Sequence, residues 1–342
     1  MNRFRFLALV ALLMTGLTAC DFLGGSDDEA GPSALLYPVQ LDGKWGYINA
    51  EGRITIVPEF DNARDFSEGL AAVQVSGVWG YVNDRGQLVS PPQYQVAGRF
   101  SEGRAFVRGT GLEDLYGYLD TEGNPVIPPS FELAQSFSEG LAAVRVDSRW
   151  GYIDRQGNMV IEPKYSDARP FSEGLAAVEG LEGWIYIDTG GAVAINPTFT
   201  IEAAGDFVEG VAPYLTSEGW GYFDKNGNVV VPPRFSEAGT FAEGLAVVSE
   251  DARYNYINKR GDVVIASEFN EARPFSEGMA AIRINSSWTY VSKKTGRIAV
   301  DREFSRAEDF QGGLARVYLG TDPNRRLGYI DPTGAYVWYP TN

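Results

Sequence analysis

The chain has 342 residues, 44% of them hydrophobic, with 29 basic and 45 acidic side chains and a formal net charge of -16 at pH 7. It has no histidine and a single cysteine, Cys20, which excludes Ser-His-Asp and Cys-His nucleophilic machinery, His/Cys zinc sites and internal disulfides. So acidic a body repels nucleic acid and anionic lipid headgroups, and it favours cationic partners or plain solubility.

Residues 1–19 have the layout of a cleaved targeting segment. Arg3 and Arg5 form a positive start, Leu7 to Leu13 an apolar core too short to span, and Leu17-Thr18-Ala19 precede Cys20 with small residues. This stretch resembles a bacterial lipoprotein signal with its lipobox. The resemblance implies cleavage before Cys20, a diacylglycerol thioether on its sulfur and an acylated amine. Two or three acyl chains anchor stably where one would be marginal, at ~0.8 kcal/mol per buried CH₂. The other reading is an ordinary secretory signal in which the cysteine is incidental. The expected address is the bacterial cell envelope, with the body lipid-anchored on the extracytoplasmic side. Asp21, directly after the cysteine, matches a feature associated in some Gram-negative bacteria with retention in the inner membrane. Residues 20–34 are small, acidic and rich in helix and strand breakers, and read as a flexible tether holding the body off the lipid.

From Leu35 to the end, residues 35–342 form one repeat domain. An aromatic residue opens a Trp-Gly-Tyr-like motif at Trp45, Trp79, Tyr116, Trp150, Trp184, Trp220, Tyr254 and Trp288, with Leu327 in the ninth place. A second marker, the Phe of Phe-Ser-Glu-Gly, recurs at Phe66, Phe100, Phe137, Phe171, Phe207, Phe241, Phe275 and Phe310. The dominant spacing is 34 residues in both series, so the body is a tandem array of about nine units.

Each unit predicts three short strands. The first is the apolar run after the glycine, such as Leu70 to Val75. The second carries Trp-Gly-Tyr and ends on Asx, as at Asn83, Asp154 or Asp224, with a glycine three residues later closing a tight hairpin. The third, such as Ile54 to Val57 or Met159 to Ile161, is expected to stop at a proline: Pro58, Pro91, Pro128, Pro163, Pro197 or Pro232. A short turn or 3₁₀ piece fits between this proline and the next Phe-Ser-Glu-Gly. No segment sustains 3.6-residue apolar periodicity, so the fold class is all-β.

The recurrent glutamates Glu68, Glu102, Glu139, Glu173, Glu209, Glu243 and Glu277 are equivalent by repetition. They therefore read as turn residues capping backbone donors rather than as an acid/base pair, with an acidic stripe for a basic partner as the second reading. The Trp-Gly-Tyr residues read as core filling, with Trp79 and Tyr81 on one face and Gly80 on the other, where a backbone can approach. Sugar- or peptide-stacking platforms are the alternative. Ala71-Ala72 and its copies suit tight packing between units. No metal site, cofactor or catalytic residue is assigned. The first hairpin loop is enlarged in the third unit (108–115) and the ninth (318–327), and insertions at one loop position project from one side of an array. Their charged residues Glu113, Asp114, Asp322, Arg325 and Arg326 are the candidate binding residues.

With Lys44-Trp45-Gly46-Tyr47-Ile48, Trp150-Gly151-Tyr152-Ile153-Asp154 and the Phe-Ser-Glu-Gly-Leu-Ala-Ala-Val copies laid out, residues 35–342 resemble the bacterial WG-repeat (KWG-repeat) proteins. The resemblance implies a β-repeat architecture and brings no active site with it. The expected shape is a curved, solenoid-like array of nine β-hairpin units, because no strand is left over at either end to be exchanged. A closed, β-propeller-like ring is the alternative. The expected function is a non-enzymatic, lipid-anchored scaffold that binds an envelope protein or peptide, with cell-wall glycan or peptidoglycan binding through the Trp/Tyr hairpins as the alternative. A carboxylate-dependent hydrolase is disfavoured, since no unit contributes a unique acidic pair.

Overall fold

The computed structural model describes residues 35–111 and 114–341. Cys20, the tether and Glu113 lie outside the described residues. Among the described residues every element is a β-strand, and the pairing is antiparallel throughout. The first unit is β1 (Tyr37–Leu41), β2 (Lys44–Ile48) and β3 (Ile54–Phe60) in that order across the sheet. The second is β4 (Asn62–Ala63), β5 (Leu70–Val75), β6 (Val78–Asn83) and β7 (Leu88–Ala97). Seven further units follow the same plan, which makes nine among the described residues, as the sequence led us to expect.

Two expectations about the strands need correction. The third strand does not stop at its proline in most units. β3 runs past Pro58 to Phe60, and its counterparts reach Phe131, Tyr165 and Phe235. The proline sits where the register shifts: Tyr47 faces Ile56 while Trp45 faces Phe60. A bulge at a sheet edge tolerates the missing N–H, so the ladder resumes beyond it. The segment before Phe-Ser-Glu-Gly is also not a helical turn. It is a two-residue strand, Asn62–Ala63 in unit two, paired with Gln74 and Val73. In unit two the third strand continues directly into the short strand of unit three, so Leu88–Ala97 joins their sheets.

The turn after Trp-Gly-Tyr forms as its residues predict. Asn49 Oδ1 accepts from the amides of Glu51 and Arg53 at 3.2 and 2.9 Å, and Gly52 takes a φ of 76°.

Hydrophobic packing runs between units. Alternate residues of one strand serve opposite cores. Ala71, Val73 and Val82 join Tyr47, Ile56 and Phe60 of unit one. Leu70, Ala72, Trp79 and Tyr81 pack with Phe100, Ala105 and Val107 of unit three. The paired alanines thus sit on both faces of a strand and let neighbours approach closely, which offsets their poor β-propensity. The tyrosine of each motif is fully buried and crosses to the next unit. Tyr152 stacks edge-on against Phe171 with centroids 4.9 Å apart, and its hydroxyl donates to the Arg169 carbonyl at 2.7 Å. Tyr81, Tyr186 and Tyr222 do the same with Gly98, Gly205 and Gly239. Burial pushes these phenols well above their ordinary pKa, so they remain donors.

Phe-Ser-Glu-Gly is the second inter-unit clasp. Ser67 and Leu70 exchange backbone hydrogen bonds around Glu68 and Gly69, whose φ angles are 53° and 77°. This is the two-residue turn with both central residues left-handed, which matches the twist of a hairpin but disfavours glutamate. The side chain supplies the compensation. Glu68 accepts from the amides of Glu102 and Gly103 in the next unit's turn at 2.7 and 2.9 Å. Glu102, Glu139, Glu173, Glu209, Glu243 and Glu277 each reach the following unit in the same way. The serine hydroxyl adds a bond to the next phenylalanine carbonyl, as from Ser67 to Phe100 at 2.7 Å. The glutamates are therefore capping residues, and the donors they cap belong to the neighbour.

These carboxylates couple the fold to pH. At Glu102, burial raises the pKa but hydrogen bonds from Arg155 and Gly140 outweigh it and hold the group below the usual range; Glu173 is lowered likewise by Lys225 and Gly210. A folded pKa below the unfolded one gives stability that is present above the unfolded pKa and lost as pH falls through the folded one. Urea denaturation should therefore show a midpoint that is flat near neutrality and drops below about pH 4.5. Glu173→Gln should flatten part of that drop, and an unchanged acid limb would refute the assignment.

The nine units do not form a barrel, since ladders run within units and neighbours meet chiefly by packing. The array curves until its ends meet. Tyr37, Val39 and Ile48 of unit one share a core with Leu314, Leu327 and Tyr329 of unit nine. No strand is exchanged, in line with the sequence, and side chains alone make the junction. Tyr329 donates to the Pro38 carbonyl at 2.9 Å, and Tyr37 takes the place of the missing phenylalanine against it, with centroids 5.4 Å apart. Arg316 of unit nine pairs with Asp65 of unit two and with Glu308.

Candidate binding cleft

The hairpin loop between the first and second strands is two residues long in most units, as at Ser76-Gly77. It is enlarged between Gly109 and Tyr116 and between Leu319 and Arg326. Asp114 is exposed in the first of these loops. In the second, Asp322 pairs with Arg325 at 3.0 Å, and Arg326 begins the returning strand opposite Leu319. The two loops belong to units three and nine, and among the described residues no contact joins Asp114 to Asp322, Arg325 or Arg326.

Of the candidate set, Arg325 lines an open hollow of about 570 Å³ shared by units seven, eight and nine. Arg283 and Arg306 line it as well, with Tyr254 and Trp288 as its aromatic surface and Glu237 and Glu271 as its acidic lining. Local pairing places each group. Glu271 lies opposite Arg283 on adjacent strands and forms an ion pair with it. Arg306 lies opposite Tyr318, and both Arg306 and Arg325 sit over the Tyr318 ring, at 5.7 and 5.9 Å. Arg306 also approaches Glu308 at 3.4 Å. Tyr254 donates to Glu237 at 2.8 Å, and burial together with that carboxylate pushes its pKa up to about 12. The Arg283 Nε is buried and has no hydrogen-bond partner.

Arg283 and Arg306 were not singled out in the sequence. Arg306 carries a signal that could have found it. At the corresponding position after the third strand other units have Asn62, Leu133, Asp167, Ala203, Glu237 and Glu271. The charge balance points the same way: residues 237–342 hold 13 basic and 14 acidic side chains, against 14 and 27 in residues 35–236. The cleft lies in the part of the body where the acidic excess disappears.

The arrangement suits binding. Several arginines converge with two aromatic faces in a concavity whose size falls in the range of ligand sites. Among the described residues no group of three acidic side chains is placed to hold a metal ion. The Trp-Gly-Tyr residues behave mainly as core: Trp79 and Trp150 are buried, while Trp220 and Trp288 are half-buried.

Comparison with known proteins adds the family. The family model described as WG containing repeat matches residues 45–79, 79–108, 116–150, 150–179, 220–254, 256–288 and 288–320. No curated protein matches the chain in sequence. Among solved structures, a eukaryotic initiation factor is similar with a TM-score of 0.68 at 14% identity, over 91% of this chain and 97% of that one. At that identity the likeness is one of fold alone. Hsv2 of Kluyveromyces lactis has a TM-score of 0.41 at 10% identity, over 77% of this chain and 95% of that one. The extracellular domain of a one-component system from B. thetaiotaomicron has 0.40 at 12% identity, over 88% of this chain and 52% of that one. Neither of these two likenesses bears on function. The repeat matches cover more than half of the sequence, and the chain belongs to the WG containing repeat family.

Proposed function

We propose that the protein is a non-enzymatic interaction scaffold of the bacterial envelope, anchored through lipid on Cys20 and binding a protein or peptide partner. The observation that carries this reading is the division of labour within the repeat. Its recurrent polar groups, the tyrosine hydroxyls, serines and glutamates, are engaged in holding one unit to the next. What differs from unit to unit is concentrated elsewhere, in the enlarged hairpin loops and in the cleft that one of them borders. A constant frame with variable edges is the layout of a binding surface.

Two measurements test it. Replacing Cys20 with alanine should release the protein from the membrane fraction, and full retention would remove the anchor from the proposal. Immobilised residues 21–342 should capture a specific protein from detergent-solubilised envelope. Cell-wall fragments alone would favour the glycan reading, for which Trp288 and Tyr254 supply exposed aromatic surface in the cleft.

A further inference from the structure

We propose that the cleft of units seven to nine binds an acidic peptide segment, its carboxylates held by Arg283, Arg306 and Arg325 and an apolar side chain lying against Trp288 and Tyr254. This rests on the scaffold reading and specifies its partner surface.

The lining selects the ligand class. A guanidinium recognises a carboxylate or a phosphate through paired N–H donors. Here the arginines already face acids of their own, Glu271, Glu308 and Asp322. Glu237 also lines the hollow, its carboxylate bonded to Tyr254. That near-balanced charge opposes a dense polyanion such as nucleic acid or polyphosphate. A peptide meets both signs at once: its side-chain carboxylates pair with arginine, and its backbone N–H groups donate to Glu237 and Glu271. Arg283 lines the hollow beside its Glu271 partner, so a ligand carboxylate there meets a guanidinium whose position is already fixed. Arg325 stands on the enlarged loop and pairs there with the exposed Asp322, and Arg306 replaces the neutral or acidic residue of other units. Arg273 also borders the cleft but is held by Asp309 through two bonds at 2.7 and 3.2 Å, so it contributes field rather than free donors.

The test uses the detergent-solubilised full chain and a fluorescent synthetic peptide of alternating glutamate and leucine, followed by anisotropy at low salt. Binding should weaken with added salt, as expected of partly exposed charge pairs. The glutamine-leucine counterpart should bind at least about tenfold more weakly. Arg306→Glu and the double variant Arg283→Gln/Arg325→Gln should each lose about tenfold in affinity, while Arg149→Gln, exposed on unit four and outside the cleft lining, should lose none. Unchanged thermal unfolding of the variants guards against misfolding. Equal binding by variant and parent, or preference for a uronic-acid oligosaccharide over the peptide, would overturn the proposal. A parallel envelope pull-down separates it from the scaffold reading. A protein captured equally by parent and variants leaves the scaffold standing and removes the cleft, whereas no captured protein from either removes the scaffold itself.

Discussion

Replacing Arg316 with alanine is expected to part the two ends of the array. The guanidinium is 18% exposed and reaches Asp65 of unit two and Glu308 of its own unit, while its Nε donates to Tyr329 at 2.8 Å. Burial pulls its pKa down, but the neighbouring Tyr329, Asp65 and Glu308 more than offset that, so it stays charged. Removing it leaves Asp65 without this partner, Glu308 with Arg306 alone and the Tyr329 hydroxyl without its donor, which costs about 2 kcal/mol, the scale of charge-assisted hydrogen bonds lost from a largely buried group. The loss should fall on the junction first. Hydrogen exchange of Tyr37–Leu41 should accelerate strongly, together with a lower urea midpoint, while amides in unit four stay protected. Uniform exchange across the array would show that the ends contribute nothing special. Arg316→Lys should recover only part of the loss, because a single nitrogen lacks the spread by which Nε, Nη1 and Nη2 reach Tyr329, Glu308 and Asp65 separately.

The other large effect is expected at Gly151. A Cβ there would stand 2.4 Å from the Ile161 carbonyl oxygen and 2.8 Å from the nitrogen of Pro163, both backbone atoms of the bulged third strand. Neither can swing aside, so Gly151→Val should cost about 3 kcal/mol or more as an overpacked site, and should disrupt the contact between Met159–Tyr165 and the second strand. The natural exceptions support this. Where Asn255 and Thr289 replace the glycine, the position of Pro163 is taken by Ser267 and Arg302, and where Ile185 does, the third strand is cut to Val193–Ile195. In unit eight Thr289 turns the position to use, donating to the Val300 carbonyl at 2.7 Å. Thr289→Gly should therefore cost only about 1 kcal/mol, the scale of one hydrogen bond. Denaturation curves for the pair check the contrast, and equal effects would refute the close-approach account.

Much of the candidate site was hidden for a physical reason. Arg325 was legible because an insertion breaks the period, and a broken period is visible in one dimension. Arg283 stands on a regular strand, where one charged residue looks like any other, and Arg306 is marked only as a basic residue where other units are neutral or acidic. Only the curvature that sets unit eight between its neighbours brings them to one hollow with Trp288. Asp114 shows the converse, a residue in an equally conspicuous insertion that the fold leaves on its own.

The sequence by itself determined the repeat, its all-β class, its nine units and the chemistry of each turn, because these depend on local preferences: positive φ at glycine, Asx capping, alternation along a strand. The tertiary structure alone decided which neighbour each side chain serves. Glu68 reads as the cap of its own turn, yet its acceptors face the next unit's amides. Phe310-Gln311-Gly312-Gly313 reads as a degraded Phe-Ser-Glu-Gly, yet its lost serine and glutamate are the two clasping side chains, and the described part of unit one has no such turn for them to hold. Glycine at position 312 instead lets Leu35 and the Tyr37 hydroxyl close in, the latter donating to the Gly312 carbonyl at 2.7 Å. Contacts made 275 residues apart leave no periodic trace in a chain, which is why the junction had to be seen folded.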